Sequence, residues 1–147
     1  MIEMSDNLTT YYAERAAEYE AIYAKPERQA DLGAATKVLQ EIFKEKEMLE
    51  IACGTGFWTE KIAQTARSIL ATDINESVLE IARSKSYPNG NITFQTSDLY
   101  YFQPEKPAEA LFGGFIWSHI PIQKLPDFVR KANTLVEAGG TIVMMDN

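Results

Sequence analysis

The segment Leu49-Glu50-Ile51-Ala52-Cys53-Gly54-Thr55-Gly56 carries an apolar strand into a glycine turn and then a helix. Glycines let a backbone turn tightly and approach a ligand closely, and the first turn of the following helix offers free N–H groups to negative charge. The chemistry this suits is the holding of a nucleotide-like molecule. Asp73 stands 73 − 54 = 19 positions after Gly54, at the end of the next predicted strand. A carboxylate there can accept hydrogens from both hydroxyls of a ribose. A G-x-G-x-x-G pattern starting at Gly54 would need glycine at Thr59, and bulky Trp58 stands beside it, so a pyrophosphate ligand is disfavoured. Glu50 is a charge inside an apolar strand, costly without a partner, which favours a functional role over a solvated one.

Other residues carry weaker signals. Asp98 lies at the end of a later strand and, like Asp73, also suits helix capping. His119 is the single histidine, a side-chain type suited to act as a general base or as a substrate hydrogen-bonding group. A loop histidine packed against Trp117 and Pro121 is the equal alternative. Cys53, the single cysteine, has no basic neighbour in sequence to lower its pKa and reads as a packing residue, not a nucleophile. One histidine and one cysteine do not make a zinc set, and no metal is expected.

These residues need elements to position them, and the chain alternates helix and strand. Leu8, Tyr11, Tyr12, Ala16, Tyr19, Ile22 and Tyr23 recur at helical spacing between Ser5 and Ala24, with Ser5 or Asp6 available as cap. Pro26 opens a second helix bearing Leu32, Ala35, Leu39, Ile42 and Phe43, with Lys44-Glu45-Lys46-Glu47 as its solvated end. Strands are predicted at 48–52, 68–72, 92–96, 110–117 and 141–145. Helices follow the glycine turn as far as Ala66, the cap Asn75, and Pro126, the last with Phe128, Val129, Ala132, Leu135 and Val136 on one face before Gly139-Gly140 ends it. The unbroken apolar character of 110–117 predicts a strand covered on both faces. Strands separated by helices predict a doubly wound parallel α/β sheet with helices on both faces and a ligand site beyond the strands' carboxyl ends.

Composition agrees. The chain has 147 residues, 14 Lys+Arg against 21 Asp+Glu for a net charge of −7, and 46% hydrophobic residues, which predicts one domain over residues 1–147. An acidic chain without clustered Lys or Arg is a poor partner for nucleic acid. Its start has neither a basic nor a long apolar leader, and Ala108 to Pro121 is too short and mixed to span a bilayer, so a cytoplasmic protein without a membrane span is expected.

The run from Glu50 to Gly56 resembles the first motif of class I S-adenosylmethionine-dependent methyltransferases. Asp73-Ile74 is similar to the family's second motif, Ser97-Asp98-Leu99 to its third, and Phe115-Ile116-Trp117-Ser118-His119 to its fourth. Val136-Glu137-Ala138-Gly139-Gly140-Thr141 resembles the helix-to-strand junction of the fifth, and the helix from Tyr11 to Tyr19 resembles the cofactor-covering helix of small-molecule members. The resemblance implies a Rossmann-like sheet of about five strands, order 3-2-1-4-5, under an N-terminal helical lid. It implies S-adenosylmethionine (SAM) as cofactor, S-adenosylhomocysteine (SAH) as product, and a small-molecule methyl acceptor.

By the same resemblance, the backbone around Ala52, Cys53, Gly54 and Gly56 would cradle the methionine part, and Glu50 would position its amino group. Asp73 would hold the ribose and Ile74 would pack on the adenine. Asp98 would accept from the adenine amino group, the Leu99 backbone would donate to the ring, and Trp117 would flank the site. Tyr11 and Tyr19 either line the lid or are ordinary helix residues, and His119 falls where members place substrate-side groups. Familiar members follow the fifth strand with a helix and an antiparallel hairpin, where here Asn147 stands. That leaves Thr141-Ile142-Val143-Met144-Met145 as an edge expected to pair in a homodimer, to take an exchanged segment, or to mark a truncated cofactor-binding fragment without turnover. A nicotinamide-dependent oxidoreductase shares the early strand-helix-strand unit, but the missing third glycine and Glu50 place it last.

Overall fold

The computed structural model describes residues 2–146, with side chains from Leu8 onward. Helix α1, Ile2–Tyr19, leads through short 3-10 turns at Ala21–Ala24 and Pro26–Arg28 into α2, Gln29–Ile42. There follow β1 (Glu47–Ile51), α3 (Phe57–Ala63), β2 (Ser68–Asp73), α4 (Glu76–Ser84) and β3 (Ile92–Thr96). The chain closes with β4 (Ala108–Gly114), α5 (Leu125–Leu135) and β5 (Val136–Met145). All pairings are parallel, in the order β3-β2-β1-β4-β5, with helices on both faces as the alternation predicts.

The period of two in β1 sorts its side chains between two apolar layers. Met48 joins Leu39, Phe43, Trp58, Ile62 and Leu79 under α2, α3 and α4, while Leu49 and Ile51 join Leu111, Phe128 and Leu135 under α5. Glu50 therefore faces α3 from inside the sheet. β4, paired on both sides, buries Ala110, Leu111 and Phe112 completely, as expected for a covered strand. Asn75 caps α4 by accepting from Ser77 N at 3.0 Å.

Several boundaries differ from expectation. α1 already runs from Ile2, so Ser5 and Asp6 lie within it, and their side chains fall outside the described ones. Lys44-Glu45-Lys46-Glu47 is not the end of α2, which stops at Ile42. Glu45 adopts φ +60° and donates to Thr65 O, Arg67 donates to Lys46 O, and Glu47 opens β1, so the run is a turn tied to the entry of β2. α3 ends at Ala63 rather than Ala66, and β4 ends at Gly114, leaving Trp117 in a 3-10 turn. Val129, expected on the buried face of α5, is 42% exposed.

Gly139-Gly140 does not end a helix either. α5 stops at Leu135, and β5 begins at once with Val136 opposite Ala108 before resuming register at Thr141 opposite Ala110. Residues 137–140 form a bulge against Glu109, with Gly139 at φ +79°. A Cβ on Gly140 would lie 2.3 Å from Val136 Cγ1 and 2.7 Å from Glu109 O, so only glycine fits the close backbone approach.

Candidate functional site

Every strand of a parallel sheet points its carboxyl end the same way, and the candidate residues gather there. Beyond β1 the backbone turns through Ala52, Gly54 and Gly56 at φ +52°, +57° and +84°. Cys53 N donates to Thr72 O at 3.0 Å, extending the ladder to β2 past the last strand residue. Gly54 N then donates to Asp73 Oδ2 at 2.9 Å, and Asn75 N donates to Asp73 Oδ1 at 2.9 Å. Asp73 is thus fixed by the glycine turn on one side and the start of α4 on the other. Nothing lies within 4 Å of a Cβ built on Gly54, so the turn faces open space.

Glu50 is 2% exposed and accepts from Thr59 Oγ1 at 2.5 Å. Burial holds its carboxyl up to about 8, with the Asp73 charge adding and the Thr59 hydrogen bond opposing. Thr59 is the residue whose presence argued against a dinucleotide pattern, and here it supplies the partner that a buried carboxyl requires. Burial also pushes the Cys53 thiol up, which disfavours a thiolate at neutral pH.

Two cavities flank the turn and share Ala52 in their linings. One, of about 330 Å³, is lined by Asp73, Ile74, Asp98, Leu99, Ile116 and His119. Ile74 offers an apolar side chain that is 69% exposed, and Asp98 is oriented by accepting from Tyr100 N at 3.0 Å. The other, of about 180 Å³, is lined by Tyr19, Tyr23, Glu50, Phe57, Trp58 and Phe115, beside Cys53 and Gly54. Tyr23 stacks on Phe57 with ring centroids 4.0 Å apart, and Trp58 meets both edge-on. The Trp58 indole N–H is buried without a hydrogen bond of standard geometry. A further apolar cavity of about 330 Å³ opens at the amino ends of the strands, under Phe102 and Pro104, away from the glycine turn.

The structure brings most of the expected residues to these two cavities but not all. Trp117 lines neither, its ring packing 5.9 Å from that of Phe128. Tyr11 lines neither, standing 53% exposed against Tyr12. Gly56 sits below the cavities as the entry to α3, where an added Cβ would lie 2.7 Å from Tyr87 Oη. The sequence reading missed Tyr23, Phe57, Trp58 and Phe115 as lining residues. It also missed Glu20, which accepts from Thr55 Oγ1 in the glycine turn. Among the described residues, no group of three or more His, Cys, Asp or Glu side chains could hold a metal ion, and no helix is long and apolar enough to cross a membrane.

The sequence pattern of the methyltransferase domain family matches residues 48–140, from β1 to the bulge of β5. The chain belongs to that family. This methyltransferase domain is 24% identical over 130 residues to an uncharacterized methyltransferase of Anoxybacillus flavithermus, covering 86% of the chain and 60% of the relative. It is 30% identical over 104 residues to malonyl-[acyl-carrier protein] O-methyltransferase 1 of Ilyobacter polytropus, covering 67% of the chain and 37% of the relative. Among solved structures, DhpI in its complex with SAH superposes with a TM-score of 0.75 at 27% identity, over 92% of this chain and 65% of that one. The DhpI complex with SAM and HEP gives the same score at 25% identity, over 96% and 64%. The chain thus spans less than two thirds of the length of each of these proteins.

Proposed function

We propose that this domain binds S-adenosylmethionine across the glycine turn and transfers its methyl group to a small-molecule acceptor, leaving S-adenosylhomocysteine. The observation that carries this reading is the placement of Asp73 and Glu50, two carboxyls on opposite sides of one turn, each facing its own cavity. The polar groups at the smaller cavity fit the cofactor: Glu50 is held there by Thr59, and the buried Trp58 N–H, which makes no hydrogen bond of standard geometry, lies beside Tyr23 in the same lining.

In this reading Asp73 accepts from the ribose hydroxyls, Ile74 covers the adenine, Asp98 accepts from its amino group and the Leu99 N–H donates to the ring. The backbone of Ala52, Cys53 and Gly54 cradles the methionine part, and Gly56 shapes that turn from below. Glu50 yields its proton when an ammonium group sits against it, and Tyr19 closes the cavity from above. Bound S-adenosylmethionine supplies a sulfonium methyl that an acceptor displaces in line. The domain's contribution is alignment and exclusion of water, with His119 as the general base toward the acceptor's proton. Trp117 and Tyr11 flank the site from a distance, the former through Phe128 and the latter on the lid helix.

Isothermal titration with SAM and SAH tests the reading. The intact chain is expected to bind both, and Asp73→Ala to weaken binding by about 100-fold through loss of charged hydrogen bonds. No binding by the intact chain would remove the cofactor assignment.

We also propose that residues 1–147 act as one cytoplasmic domain that pairs as a homodimer through β5. The support is that β5 is an edge of the described sheet, apolar and uncharged from Thr141 to Met145, with Ile142 37% exposed. Sedimentation as a monomer at high concentration, with fast amide exchange along β5, would count against it. Cofactor binding without turnover by this chain alone is the second reading, supported by its spanning less than two thirds of the relatives' length. Methyl transfer to any acceptor by the chain would exclude it.

A further inference from the structure

Glu20 follows α1 directly, between Tyr19 and the 3-10 turn that holds Tyr23. Its Oε2 accepts from Thr55 Oγ1 at 2.6 Å and pairs with Lys85 Nζ. Thr55 belongs to the glycine turn, and Lys85 is the C-terminal cap of α4, whose other end is anchored beside Asp73. One carboxylate therefore joins the lid to both structures that form the floor. Its side chain is 20% exposed and that of Lys85 is 16%, so the pair is only weakly screened by water.

The rest of α1 is held loosely. None of its described side chains is buried, and a cavity of about 410 Å³ opens between α1 and α4, lined by Leu8, Tyr12, Ala16 and Lys85. A helix with so little apolar burial gains little from packing, so a polar tie at its end carries a large share of what keeps it closed. Tyr19, which immediately precedes this tie, lines the smaller cavity together with Tyr23, whose ring is also held by stacking on Phe57.

We infer that Glu20 is a latch, a positioning residue whose joint hold on Thr55 and Lys85 keeps the tyrosine lid over the glycine turn and sets how long a ligand stays beneath it. The inference rests on the proposed SAM site for its ligand but not for its mechanics. Because Thr55 gives its hydroxyl hydrogen to Glu20, the lid cannot open without freeing a side chain of the turn that would cradle the methionine part. Glu20 touches no reacting atom in this scheme.

Two measurements on the full chain test it. In the ligand-free protein, Glu20→Ala is expected to speed amide hydrogen exchange of residues 8–24 about tenfold while β1 and β4 stay unchanged. Thr55→Val and Lys85→Met shift the same amides in the same direction, and Glu20→Ala combined with Lys85→Met goes no further than Glu20→Ala alone. In stopped flow, SAH release from Glu20→Ala is expected to quicken about tenfold, with Glu20→Gln intermediate because its amide still accepts from Thr55. Unchanged exchange over 8–24, a uniform rise across the protein, or additive effects of Glu20 and Lys85 would each overturn the latch. If the parent chain fails to bind SAH, the cofactor reading falls, and the exchange measurement still decides the latch.

Discussion

In the turn after β1, Ala52, Gly54 and Gly56 all hold positive φ, and Glu50, Thr59 and Thr72 around them are buried and hydrogen-bonded. In α1, which lies over the same cavity, no described side chain is buried, and the helix meets the body across a 410 Å³ gap. The floor is fixed by backbone geometry before any ligand arrives, which lowers the ordering cost of binding. The cover buries little apolar surface and is tied to the floor by the polar contacts of Glu20. Affinity should therefore reside in the floor and residence time in the cover, and substitutions in the two regions should differ in what they change as well as by how much.

The largest effect is expected at Glu50. Glu50→Gln keeps the shape and the acceptor for Thr59 but removes the charge, and SAM affinity should fall about 100-fold. Stability should move the other way. A carboxyl raised to about 8 from an ordinary value of 4.5 makes the folded chain bind more protons than the unfolded chain between those values. Stability is then lost as pH rises from 4.5 to 8 and stays reduced above. Glu50→Gln removes that loss, so thermal unfolding near pH 8 should show a gain on the order of 4 kcal/mol that vanishes toward pH 4.5. Ionisation of Glu50 against the cofactor's ammonium also predicts that SAM binds more tightly as pH rises from 6 toward 8, with proton release seen by calorimetry in buffers of different ionisation enthalpy. A variant that keeps its affinity would remove Glu50 from the site and erase the distinction between floor and cover.

A second pair of changes tests the floor's geometry without touching charge. Gly56→Ala puts a Cβ at φ +84° and 2.7 Å from Tyr87 Oη, itself tied to Ala82 O, and should cost about 2 kcal/mol by denaturant unfolding. Ala52 already endures φ +52° with a Cβ. Ala52→Gly should therefore stabilise the fold by about 0.5–1 kcal/mol, the relief of strain exceeding the added chain entropy. SAM affinity should change less than about threefold in Ala52→Gly, because the backbone path of the turn is retained.

The same contrast explains what was legible in the sequence. The alternation of strands and helices, the glycine turn, Glu50 and Asp73 follow from local pattern, because a turn of this kind needs particular residues at particular spacings, whereas strand order and the place of Asp98 come only with the family resemblance. Glu20 and Lys85 lie 65 positions apart, and nothing local marks either as the other's partner. Tyr23 reads as one more apolar helix position, and Phe57 and Trp58 read as the start of α3, until folding stacks Tyr23 on Phe57. Gly139-Gly140 misleads for a related reason. Paired glycines near the end of a helical pattern signal a stop, yet here the demand on glycine comes from Glu109 on a neighbouring strand, which only the tertiary register reveals. Val129 fits the apolar stripe of α5 by period, but the stripe is wider than the surface it meets.

The smallest effects should separate residues within the cover itself. Tyr11 and Tyr19 are similarly exposed, 53% and 45%, so burial does not distinguish them. Only Tyr19 lines the cavity, with the Arg15 guanidinium 5.2 Å above its ring and donating to its hydroxyl at 3.3 Å. Tyr19→Ala should raise the SAH dissociation constant about fivefold through a faster release rate, with the unfolding midpoint nearly unchanged, since an exposed ring contributes little to the core. Tyr19→Phe should lose less than about twofold, because the ring rather than the hydroxyl closes the cavity and a partly exposed neutral hydrogen bond adds little. Tyr11→Ala should also stay within about twofold, because its ring packs on Tyr12 and lines neither cavity of the candidate site. A Tyr11 effect equal to that of Tyr19 would mean that α1 turns a different face to the site when ligand is bound. In that event the cover would rotate as it closes, and Glu20, fixed to Thr55 and Lys85, would be the pivot of that rotation.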